Sequence, residues 1–347
     1  SGRTDSVAMH DHPWFTDAKE FEFDSSDILA AASLGCNRVL LLTIDYGSGI
    51  GRCEWRILTH PFDASELGRV DIVQGPEIPD DLMVVDLCRI QDVVVAYGGS
   101  KLSDEGIVPF WFMAVYTIST GEWETIPYTE GECPVPRSAP YVCTLSDRMV
   151  VLGGERKESA EGRTPYSDTW EWSVDTREWT QCEDIPRALA GSVAGVNMDV
   201  IRVPVRDASS GDVSVLYSGG RYHLDTDPWQ SRLGVETGSS VLDVPLYGQH
   251  RLVITMNSSA EPEAVSDLEY WIVDSVSHDR MQCQPLFPPT PEQDVAPLNG
   301  AFSCGVIPVM LNPTTLLIFA SEVIVRVTID PFLVSPEFHT SMVGTRL

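Results

Sequence analysis

The feature that most constrains this chain is a unit of four short apolar runs that recurs along it. The clearest copy starts near Leu82 with a run ending at Ile90, and a second run, Val93 to Tyr97, closes on Gly98-Gly99. A polar loop leads to Phe110–Ile118, the turn Ser119-Thr120-Gly121, and a last run from Glu122-Trp123 to Ile126-Pro127. The next copy has Tyr141–Thr144, Met149–Leu152, Gly153-Gly154, Asp168–Trp172, the turn Asp175-Thr176-Arg177, and Glu178-Trp179 running to Ile185-Pro186. A third reaches Val213–Tyr217 before Gly219-Gly220. Runs rich in Val, Leu, Ile, Trp and Tyr, bounded by Gly, Pro, Asp and Ser, are strands and turns rather than helices. A glycine pair at a strand end fits a chain that must turn in a crowded place or adopt positive φ.

First strands fall near residues 28, 82, 140, 189, 240 and 300, at steps of about 50 to 60 residues, the spacing of propeller blades. The approximate blades are 28–79, 82–128, 139–187, 189–238, 240–288 and 300–333. The last copy has only three runs. The segment Trp14 to Phe23 is placed to supply its fourth strand, because an open ring would leave two unpaired sheet edges. The expectation is therefore an all-β chain with a single domain over 1–347. It is a six-bladed propeller, within one blade, of four-stranded antiparallel blades, its ring closed by an N-terminal strand.

The unit resembles the kelch repeat. The residues that carry the resemblance are Gly98-Gly99, Gly153-Gly154 and Gly219-Gly220, with Tyr116 and Trp172 ahead of Trp123 and Trp179. The junctions Val135-Pro136-Arg137 and Ile185-Pro186-Arg187 also look like the family's, whereas the fifth and sixth copies have Met256-Asn257 and Ala320-Ser321 in place of the glycine pair. The resemblance implies a propeller that binds partner proteins on one loop face, as many kelch propellers do. A minority of kelch-like propellers are enzymes, among them copper-radical oxidases and sugar-acid isomerases.

In an antiparallel meander of strands a to d, the b–c loop and the d–a connection emerge on the same face. On that face the sequence expects Lys101, Arg137, Arg156, Lys157, Arg187, Arg221 and His223 to form a cationic mouth. The chain has 23 basic and 51 acidic residues, a formal charge of −28, so a basic mouth on an acidic body suits an acidic or phosphorylated peptide. The same charge argues against nucleic acid and anionic membrane as partners.

The eight cysteines form no CxxC pair, which suits a reducing compartment and a cytoplasmic or nuclear location. The seven histidines are scattered and no local catalytic motif is present, so no catalytic residue, metal or cofactor is assigned. The primary expectation is a protein-interaction scaffold and not an enzyme. The alternative is a carbohydrate or small-molecule site, enzymatic or not, in the central pocket.

Overall fold

The computed structural model describes residues 15–23, 26–45, 51–60, 67–79, 82, 85–103, 106–138, 140–157, 163–185, 195–197, 200–207, 211–218, 220–225, 240–245, 250–256, 268–274, 280–282, 307–320 and 323–329. Among these residues all regular structure is β. The closing blade joins β1 (Phe15–Glu22) to β24 (Ile307–Asn312), β25 (Thr315–Ala320) and β26 (Val323–Ile329) in the order β1-β26-β25-β24. Blade 1 is β2 (Ser26–Gly35), β3 (Arg38–Asp45), β4 (Arg52–Thr59) and β5 (Arg69–Ile72). Blade 2 is β6 (Asp86–Ile90), β7 (Val93–Ser103), β8 (Gly106–Thr117) and β9 (Glu122–Thr125). Blade 3 is β10 (Tyr141–Leu145), β11 (Arg148–Leu152), β14 (Thr169–Ser173) and β15 (Trp179–Gln181). Between its second and third strands lies a separate hairpin of β12 (Glu155–Lys157) and β13 (Arg163–Pro165).

Two further four-stranded antiparallel sheets follow blade 3. The fourth sheet is β16 (Gly195–Asn197), β17 (Val200–Asp207), β18 (Gly211–Ser218) and β19 (Arg221–Asp225). The fifth is β20 (Ser240–Pro245), β21 (His250–Met256), β22 (Leu268–Asp274) and β23 (Arg280–Gln282).

The middle strands of a blade are apolar without alternation because both sheet faces are covered by neighbours. In β3, Leu40 and Leu42 face blade 2 beside Val94, Ala96, Phe112 and Tyr116, while Val39 and Leu41 face the closing blade beside Leu317, Phe319 and Ile324. Val93, Val95 and Tyr97 of β7 point the other way, onto Met149, Val151 and Trp172 of blade 3. A further core joins Cys143, Leu145, Val150 and Leu152 of blade 3 to Tyr217 of the fourth sheet. Radial packing of sheets through such seams is what makes the fold a β-propeller.

A closed, kelch-like ring of six matched blades needs correction. Packed side-chain interiors are described for four blades, the closing blade and blades 1 to 3, and these make up the propeller body that the structure supports. For the fourth and fifth sheets the description is mostly of backbone pairing, and among the described residues no core cluster joins the fifth sheet to the closing blade.

The unit itself was also misaligned there. Val213–Tyr217 is in the third strand of the fourth sheet, not its second, so Gly220 sits at the turn into β19. Both kinds of turn need positive φ, which Gly220 has at +79°, so a glycine pair alone does not tell them apart. The N-terminal segment does pair with the last strand: Ala18 opposes Val327 and Phe21 opposes Ile324.

Candidate functional site

The d–a connection of blade 2 and the outer hairpin of blade 3 enclose an open cleft of about 600 Å³. One wall is the exit segment after β9, with Ile126, Pro127, Thr129, Gly131, Glu132 and Cys133. The other wall is Trp170 of β14 and Gln181 and Trp179 of β15, with Arg177 and Glu178 from the turn between those strands. Register explains the pairing of functions on this wall. Trp170 and Trp172 are two apart and point to blade 2, Trp170 opposite Gln181 and Trp172 opposite Trp179. Glu171 points the other way and accepts hydrogen bonds from the Tyr217 hydroxyl and Arg148 Nη1, each at 2.7 Å.

Two indoles, Trp170 and Trp179, line the cleft, and further aromatic rings pack against Trp179. Trp179 lies 5.6 Å from Tyr97 and 6.4 Å from Trp111 between ring centroids, and Trp111 lies 5.3 Å from Tyr128. Trp111 is locked by donating Nε1–H to the Ile126 carbonyl at 3.1 Å, and Trp170 donates to Asp168 Oδ2 at 2.7 Å. Such donors fix ring orientation while leaving an apolar face partly open. Arg177 is held over the Trp172 ring at 5.3 Å with Nη2 3.7 Å from Glu124, and Glu132 and Glu178 are exposed carboxylates on opposite walls. Burial raises the pKa of Cys133, whose Sγ donates to the Thr129 carbonyl at 3.1 Å, so the thiol stays protonated. The lining thus offers ring faces, carboxylates, one amide and one guanidinium to a small polar ligand.

Nearer the axis, Asp86 starts the innermost strand of blade 2, opposite Tyr97. Burial pushes its carboxyl up to about 7, and burial pushes Cys88 up to about 12. Asp86 is therefore a carboxyl group that changes charge near neutrality at the inner edge of a blade. Among the described residues no group of three or more His, Cys, Asp or Glu side chains is placed to hold a metal ion. Among the described residues there is no helix long and apolar enough to cross a membrane.

Six of the seven residues expected to form a cationic mouth lie among the described residues, on several different elements, and these six are not all gathered on one face. Arg137 is 1% exposed and fully committed to a seam. Its Nε donates to the Val135 carbonyl (3.1 Å), Nη1 to the Gly153 carbonyl (2.7 Å) and Asp168 Oδ1 (2.6 Å), and Nη2 to Asp168 Oδ2 (2.8 Å). Its guanidinium also lies over the Tyr166 ring at 4.5 Å. Lys101 is in β7, half-buried, with Nζ 5.5 Å above the Phe110 ring. Arg156 is exposed on β12, where the Ser138–Glu155 bridge and the Ser100 to Ser138 hydroxyl contact (3.1 Å) tie its hairpin to that of Lys101.

Lys157 is in the same strand as Arg156, and Arg187 lies outside the described residues. Arg221 and His223 belong to β19, and Arg221 follows a third-to-fourth-strand turn. In a meander that turn lies on the face opposite the b–c hairpins, so Arg221 is separated from Lys101 and Arg156.

No family model matches the chain, and no curated protein does. Among solved structures, that of YjhT resembles it at 11% sequence identity with a TM-score of 0.52, over 89% of this chain and 93% of that one. At that identity the likeness establishes the propeller fold and leaves the kelch assignment without further support. The expectation that the chain is not an enzyme rested on missing local motifs and is corrected on that ground: a propeller can gather a site from loops of different blades, which no local motif reports.

Proposed function

We propose that the chain binds a carbohydrate or a similarly small polar ligand in the cleft between blades 2 and 3. The carrying observation is the conjunction of the partly open Trp170 and Trp179 rings with Glu132, Glu178, Gln181 and Arg177 around a volume of about 600 Å³. A sugar ring has an apolar C–H face that stacks on an indole and hydroxyl groups that both donate and accept, so it matches both parts of such a lining. The location differs from the axial pocket expected from the sequence, because the exit segment of blade 2 and the outer hairpin of blade 3 create the space.

Titration of a panel of oligosaccharides, followed by tryptophan emission, tests the reading. A ligand should shift the emission saturably, and Gln181→Ala, an exposed change, should weaken it several-fold with an unaltered unfolding curve. Glu132 and Glu178 are also the residue type used to break glycosidic bonds, so the titration is paired with product analysis. A panel with no saturable response in emission or melting temperature would reject the proposal.

A second reading, a protein or peptide partner on the loop face, is favoured by the linkage of the Arg156 hairpin to that of Lys101. Arg156→Glu should then abolish capture of an acidic peptide without lowering the melting temperature, and unchanged capture would reject it.

A further inference from the structure

We infer that the blade 2–blade 3 cleft selects a cationic ligand, and that among sugars it takes those carrying a free, protonated amine. The inference rests on the reading of the cleft as a carbohydrate site and adds its charge preference. Two exposed carboxylates, Glu132 and Glu178, line the space from opposite walls. Its cationic lining residue, Arg177, lies 3.7 Å from the carboxylate of Glu124 and over Trp172, which offsets its charge in part and leaves its buried Nη1 as a donor for a ligand oxygen. The remaining titratable lining group, Cys133, is a protonated thiol that adds no charge.

Glu130, between the lining residues Thr129 and Gly131, is exposed as well. Indole faces attract cations through their quadrupole, so Trp170 and Trp179 favour the same sign of ligand as the carboxylates do. A net charge of −28 sets a background potential of the same sign over the whole surface. A neutral sugar gains nothing from these terms, and an acidic sugar is opposed by them.

The experiment compares a glucosamine oligomer, its fully N-acetylated counterpart and a neutral glucose oligomer of the same length, by calorimetry at low and high salt. The amine form should bind roughly fivefold or more tightly than the other two, with the advantage shrinking as salt screens the carboxylates. Glu132→Gln combined with Glu178→Gln should remove the advantage, so that within the double variant the amine form binds no more tightly than the neutral oligomer. Equal binding of all three oligomers would overturn the charge inference and leave the carbohydrate reading intact. Retention of the advantage in the double variant would also overturn it, since the attraction would then belong to the acidic body. No binding by any of the three would take down both readings.

Discussion

Replacing Asp168 with asparagine keeps the shape of the blade 3 seam and removes one charge from it. Asp168 is 19% exposed at its side chain and its partner Arg137 is 0% exposed, so the change leaves a guanidinium in the interior without its counter-ion. Breaking a buried pair on one side costs about 3 to 5 kcal/mol. The partial exposure of Asp168 and the surviving bonds from Arg137 to the Val135 and Gly153 carbonyls put this case at the lower end, about 3 kcal/mol.

At roughly 2 °C per kcal/mol for a chain of this size, the melting temperature should fall by about 6 °C. The double change Arg137→Met with Asp168→Leu should recover much of that loss, because no unpaired charge remains. Burial acts to raise the Asp168 carboxyl, but the hydrogen bonds and charge of Arg137 outweigh it and leave its pKa lowered. A carboxyl lowered on folding stabilises above its ordinary range, near pH 4, and that part is lost as pH falls through the folded value. The single variant should therefore lack this acid-side loss. Asp168→Asn with an unchanged unfolding curve and weakened ligand capture would refute the reasoning and return Arg137 to the role of a binding residue.

Two other perturbations follow from the same geometry. Gly154 has φ +87° and an added Cβ would lie 3.0 Å from the Ser138 carbonyl oxygen and 3.1 Å from Pro140 Cα, whereas Gly98, at φ +106°, has open space. Both alanine variants carry backbone strain, and Gly154→Ala should lose about 1 to 3 kcal/mol more in chemical unfolding because backbone atoms must also move. Equal losses would contradict this. Asp86, raised from 3.8 to about 7 by burial, contributes stability that is whole below pH 3.8 and lost as pH rises to about 7. Asp86→Asn should flatten that decline and leave the variant more stable than the parent above pH 7, and parallel curves would refute the assignment.

Much of the fold was legible because it depends on local rules. The pairs Gly98-Gly99 and Gly153-Gly154 all have positive φ, from +56° to +131°; Gly153-Gly154 directly follow the second strand of blade 3 as their spacing implies, whereas Gly98-Gly99 lie within β7, at a register shift in its pairing with β8. Trp123 and Trp179 do pack in seams, Trp123 against Trp55 at 4.5 Å. Gly219-Gly220 misled because the same chemistry serves a different turn, and the shift carried Arg221 and His223 to another part of the blade.

Arg137 was misread for a different reason: its charge is visible in sequence, but Asp168, thirty-one residues away, is what neutralises it. The cleft was less legible still. Its signal was the aromatic pair Trp170 and Trp179 beside the Thr129–Cys133 segment, and only the course of that segment past the next blade decides whether an indole face is covered or open.

The most direct measurement is a crystal structure with a bound oligosaccharide at a concentration near its dissociation constant. The account predicts sugar density stacked on Trp170 or Trp179 within reach of Glu132, Glu178 and Gln181. Density on the propeller axis, or at the Lys101 and Arg156 hairpins with the seam empty, would contradict it.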